Sequence, residues 1–127
     1  MDATQALADL TEISSQVEAA VLFDESGEVA ASTLPADEDA AALARAAGEL
    51  LARARELGDG GEVTQVEAST PNGSVFVVSD GARRIAATTA ADPTTGLVFY
   101  DLKSCLRDSA ESKPRRRRAA KKDGDEA

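Results

Sequence analysis

Five consecutive residues, Ala19 to Phe23, are apolar without a break, and five is too short a run for a helix. Such a run reads as a strand that is apolar on both alternating faces, so something must cover it on both sides. The flanking residues complete a hairpin. In the turn Asp24-Glu25-Ser26-Gly27-Glu28, Gly27 supplies the positive φ that a tight reversal requires, which pairs Val17 to Asp24 with Glu28 to Thr33 antiparallel. Pro35 stops the second strand. Asp37, Glu38 and Asp39 then open a long helix, where carboxylates favour the positive end of the helix dipole.

Winding that helix at about 100° per residue puts Leu43, Ala47, Leu50, Ala54 and Leu57 on one stripe, with Ala40 and Leu51 beside it. This stripe is expected to lie on the sheet. A second, smoother stripe of Ala41, Ala44 and Gly48, with Ala52 at its edge, turns away from the leucines, and Arg45, Glu49, Arg53 and Glu56 take the remaining side. A glycine in mid-helix costs about 1 kcal/mol relative to alanine, so Gly48 asks for a reason, and close approach of another backbone is one. The competing explanation of the stripe is that alanine is simply the best helix former. On the outer side, Arg45 with Glu49 and Glu49 with Arg53 stand four apart, a spacing that favours pairing.

The chain before the hairpin is a short amphipathic helix: Asp2 is placed to cap it, and Ala3, Ala6, Leu7, Leu10 and Ile13 recur at helical spacing. After the long helix, Gly58, Gly60 and Gly61 form a cap and connector; the tract lacks the Gly-Lys-Ser/Thr of a phosphate loop. A three-stranded meander follows. Its strands span about Glu62 to Thr70, with Thr64, Val66 and Ala68 on one face, Ser74 to Asp80, and Arg84 to Ala90, whose apolar signal is weak and whose Ile85 and Ala87 face one way. Residues 96–108 are ambiguous: Leu97 to Tyr100 favour strand by propensity, while Val98, Leu102 and Cys105 keep helical spacing.

Composition removes several chemistries. The chain of 127 residues has no histidine and one cysteine, which excludes histidine-based triads, histidine metal sites and zinc clusters, and leaves no basis for a cofactor or an enzymatic activity of its own. Cys105 lies near Arg107, but among Leu102 and Leu106 it reads as a small core residue. The carboxylates at 37–39 read as a helix N-terminus, with no metal expected. The lone cysteine, the acidic first residues and the absence of a long apolar run lead us to expect a cytoplasmic protein that does not enter membranes.

Charge divides the chain. Residues 1–112 carry seven Lys or Arg against twenty Asp or Glu, a net of −13, whereas residues 113–127 carry seven basic and three acidic groups, a net of +4. The boundaries follow: a folded domain over 1–110, and a disordered tail over 111–127 built on Arg115 to Arg118, Lys121 and Lys122. The tail suits an acidic surface. It lacks the interleaved aromatic residues that would stack on nucleic-acid bases.

Helix, hairpin, long helix, meander and closing segment form an order that resembles the Roadblock/dynein light-chain family, over residues 3–108. The resemblance is carried by the apolar strand and glycine turn of residues 17–33, the Ala/Leu-rich helix after them, the strand pair around Thr70-Pro71-Asn72-Gly73, and residues 92–106, which look like the family's glycine-led final helix. It implies an α+β fold in which helices sandwich a five-stranded antiparallel sheet, in the order α-β-β-α-β-β-β-α, with a helix from about Gly96. It also implies a homodimer joined through the long helices and the third strands, which marks Ala41, Ala44, Gly48, Leu51, Ala52, Arg55, Thr64 and Val66 as candidate interface positions. Partnership with a small Ras-like GTPase, as activator or assembly platform, is the implied function. No arginine finger carries over by motif; Arg45, Glu49 and Arg53 are candidate contacts by charge, with Arg55 beside them. An alternative from another class is a small-molecule sensor domain of PAS or GAF type, which requires a roomy pocket with convergent polar groups.

Overall fold

The structure, a computed structural model, describes residues 2–58 and 63–112. Eight elements follow one another in the expected order: α1 (Ala3–Ile13), β1 (Val17–Asp24), β2 (Val29–Ser32), α2 (Asp37–Leu57), β3 (Gln65–Thr70), β4 (Gly73–Asp80), β5 (Arg83–Thr89) and α3 (Thr95–Ser112). The strands form one antiparallel sheet in the spatial order β2-β1-β5-β4-β3. Asp2 caps α1, its Oδ1 accepting the Gln5 N–H at 2.8 Å. In the hairpin Gly27 has φ 92°, the left-handed backbone its turn demands.

The apolar run in β1 is covered on both sides, as its pattern requires. Ala20 and Leu22 point into a core with α1 and α3, which also takes Phe76, Val78, Ile85 and Ala87 from the sheet and Val98, Phe99, Leu102 and Leu106 from α3. Val21 and Phe23 point the other way, into a smaller core under α2 with Val77, Ala86, Ala40, Ala44 and Ala47. The sheet is therefore the middle layer of three. Residues 96–108 are helix, because helical spacing lets Val98, Phe99, Leu102, Cys105 and Leu106 share one buried face; Phe99 meets Phe76 edge-on, with ring centroids 5.0 Å apart.

The central strand is β5, the one whose sequence signal is weakest. Its register pairs Ala86 with Val21 and Val77, and Ile85 with Leu22 and Val78. Ile85, Ala86 and Ala87 are fully buried. Small residues here let the helix layers approach closely, so the centre of the sheet is chosen by size and not by hydrophobicity. Gly73, at the start of β4, sits against the Thr89 carbonyl, where a β-carbon would collide. The expectations for the basic tail and for Gly60 and Gly61 fall outside the described residues. Among those described, no helix is long and apolar enough to cross a membrane.

Candidate functional site

The residues of α2 that face the sheet are Ala40, Ala44, Ala47 and Leu51, spaced four, three and four apart. This corrects the expected stripe. Leu43 and Leu50 are half-buried at the flank, and Leu57, expected on the sheet, is 89% exposed. The reason is steric. Phe23, Val21 and Val77 already fill the space above the sheet, so alanines let the helix settle onto them while the leucines straddle its side.

Two of the candidate interface positions, Ala44 and Leu51, lie beneath the helix, 1% and 0% exposed within the single chain, where they pack on the sheet. The remaining helical positions of the small stripe, Ala41, Gly48, Ala52 and Arg55, line a cleft of about 480 Å³ together with Phe23, the β1–β2 turn, Arg45 and Arg84. Gly48 meets no second backbone there. A β-carbon built on it would come no nearer than 3.8 Å to the Arg84 Nη1.

The leucine flank lies about half a helical turn from the small stripe, so it faces away from the β1–β2 turn. At one side of the sheet β3 is an edge strand. Its six residues pair with β4 without a register shift, through Val66 with Val77 and Ala68 with Val75, and its outer edge has no partner strand among the described residues. Val66 and Ala68 are half-buried on the α2 side of the sheet, and Thr64, just before the strand, is exposed while its carbonyl accepts the Ser79 N–H at 2.8 Å. The opposite edge is blunter: β2 has four residues and a register shift against Leu22 and Phe23.

Arg45, Glu49 and Arg53 are exposed on the outer side of α2, where the sequence puts them. Their pairing differs from the expected pattern. Among the described residues the ion pair is Arg53 with Glu56, at 3.6 Å and three apart, and Arg45 and Glu49 have none. Arg45 reaches the cleft, whereas Glu49 and Arg53 border a separate shallow depression with Ala46 and Leu50.

Sequence reading missed Arg84 and the leucine flank. The signal for Arg84 was present: if Ile85 and Ala87 face α1 and α3, then Arg84 and Ala86 must face α2. In the turn, the Asp24 Oδ1 accepts from the Ser26 N–H, the Ser26 hydroxyl at 2.6 Å and the Glu28 N–H. These bonds, the Ser26 hydroxyl first, hold its carboxyl below the usual aspartate range. On the far side of the sheet Cys105 is buried against α1, where its Sγ–H donates to the Ala6 carbonyl. Burial first, and then the charges of Asp108 and Asp9, push the thiol up to about 12, which suits a packing role.

No protein-family model matches the sequence, and no curated protein matches it. Solved structures match its fold. The Roadblock/LC7 domain from Streptomyces avermitilis superposes with a TM-score of 0.78 at 20% identity, over 88% of this chain and 98% of that one. MglB of Myxococcus xanthus gives 0.65 at 14% identity, over 88% of this chain and 85% of that one. An MglB described as having a tetrameric arrangement gives 0.62 at 20% identity, over 84% and 86%. The chain thus has the Roadblock/LC7 fold, with the element order and sheet that the sequence resemblance implied.

Proposed function

From the Roadblock/LC7 fold, we propose that this chain is a homodimeric, non-enzymatic regulator or scaffold for a small Ras-like GTPase. The observation that carries the reading is the open edge strand β3, whose half-buried Val66 and Ala68 lie on the α2 face of the sheet, together with a half-exposed leucine flank on α2 itself. An unpaired, unshifted edge is a template for another strand. Leu50 and Leu57 add apolar surface on α2 that water disfavours. A second copy joined edge to edge would extend the sheet to ten strands and bring the two leucine flanks together. The tetrameric arrangement of one MglB structure supports the tendency of this fold to assemble.

This reading revises the interface to Leu43, Leu50, Leu57, Val66 and Ala68, and retains Thr64 at the strand's start. The outer residues Arg45, Glu49 and Arg53, exposed in the single chain, are the charged face proposed for the GTPase. Two measurements test it. Light scattering should give twice the chain mass at micromolar concentration, and the double variant Leu50→Glu/Leu57→Glu should give a folded single chain, because two carboxylates would be forced into an apolar contact. Multi-turnover GTP hydrolysis by a Ras-like GTPase should then accelerate with the wild-type chain if it is an activator. A scaffold would bind the loaded GTPase without changing its rate. A chain that stays single and binds no GTPase would overturn the proposal.

A further inference from the structure

The flank of α2 away from the leucines carries an imbalance of charge. In a chain of net charge −9, three arginines, Arg45, Arg55 and Arg84, line one cleft. None of them forms an ion pair among the described residues, where Arg53 and Glu56 are paired. Arg84 rises from the central strand beneath α2, and its Nε is buried with no hydrogen-bond partner. The Nη1 end of the same guanidinium lies toward Gly48 on the cleft wall.

The acids of the cleft do not pair with these arginines among the described residues. Asp24 is committed to its own turn through the Ser26 and Glu28 bonds, and Glu25 stands exposed at the turn without an ion pair. The opposite wall is kept low by Ala41, Gly48 and Ala52. At Gly48 a β-carbon would touch Nη1 at 3.8 Å, and any longer side chain would occupy the space in front of it. Within the chain, the mid-helix glycine therefore leaves room in front of a cation.

We propose that this cleft binds a small ligand through an oxyanion, phosphate or carboxylate, which Arg84 grips from below and Arg45 and Arg55 flank. Guanidinium groups suit this chemistry because their forked N–H donors match the spacing of carboxylate and phosphate oxygens. The cleft volume of about 480 Å³ exceeds a bare ion and admits the body of a small metabolite. The site lies on the flank opposite the proposed dimer contact, so it stays open in the pair and the two readings fail separately.

Isothermal titration of the full chain with sodium pyrophosphate and with sodium succinate, at constant ionic strength, tests the proposal. One of the two should bind saturably. Arg84→Gln should weaken that binding about tenfold or more, since it removes charge-assisted bonds, while Arg53→Gln, the same charge change outside the cleft, should alter it less than about twofold. Pyrophosphate preference identifies phosphate esters as the ligand class, and succinate preference identifies carboxylates. If Arg84→Gln does not fold, the double variant Arg45→Gln/Arg55→Gln asks the same question on side chains that are not fully buried. Absence of saturable binding of either anion up to about 10 mM, or equal weakening by Arg84→Gln and Arg53→Gln, overturns it. The Leu50→Glu/Leu57→Glu chain should bind the anion as the wild type does.

Discussion

Gly48 shows how one residue can be read two ways until its neighbours are known. Nothing closer than the Arg84 Nη1 at 3.8 Å would meet a β-carbon there, so Gly48→Ala should gain helix propensity, about 0.5–1 kcal/mol, and raise the midpoint of thermal unfolding. Gly48→Leu should lose that gain by displacing the guanidinium. Ala44 behaves oppositely. It is buried in the α2 core, so Ala44→Arg should cost about 3 kcal/mol or more in urea unfolding through an unpaired buried charge, and should not yield a folded monomer. Cys105 offers a third residue-scale test. With its thiol at about 12 against an ordinary 9.0, the thiolate fraction at pH 8 falls about a thousandfold, so alkylation should be negligible until the chain unfolds. A raised value means that the neutral thiol is the form the fold favours. Its contribution is complete below the unfolded value near 9.0 and declines as pH rises toward 12.

Among the elements, the hairpin was legible almost to the residue, since an unbroken apolar run and a glycine turn admit few alternatives. Its stability should carry a pH signature. The Asp24 carboxyl is depressed by the Ser26 hydroxyl and the Glu28 N–H, so its contribution is present above the ordinary aspartate range and is lost as pH falls through its lowered value. Asp24→Asn should flatten that part of the acid unfolding profile. The long helix was legible in extent and only partly in rotation: Ala40, Ala47 and Leu51 face the sheet as expected, but Ala44 joins them, while Leu43 and Leu50 sit half-buried at the flank and Leu57 is exposed. Periodicity weighs side chains by hydrophobicity, whereas a helix lying over Phe23 and Val77 is positioned by size, which a single sequence does not encode locally. The place of β5 was hidden for a related reason, because sheet order is a long-range property and Ala86 and Ala87 look unremarkable until Val21, Leu22 and Val77 are known to surround them.

At the scale of the whole molecule, charge is the dominant unspent quantity. Residues 1–112 hold a net of −13, so two copies brought edge to edge as proposed would repel, and residues 113–127, with +4 each, would offset part of that repulsion. The effect must be electrostatic in range. At an ionic strength near 0.01 M the Debye length is about 30 Å and the two domains feel each other's full charge, while at 1 M it shrinks to about 3 Å and only touching groups interact. Ending the chain at Ser112 should therefore weaken self-association about three- to tenfold at low salt, with little difference at high salt, as read by sedimentation at a series of salt concentrations. If the basic residues instead grip one specific acidic site, the loss should persist at high salt, because a desolvated ion pair is screened far less than a diffuse field. Equal association of the full and shortened chains at low salt would mean that the acidic surfaces of the two domains are turned away from each other. That outcome would leave the edge-strand contact in place and assign the basic segment to a partner other than its own twin.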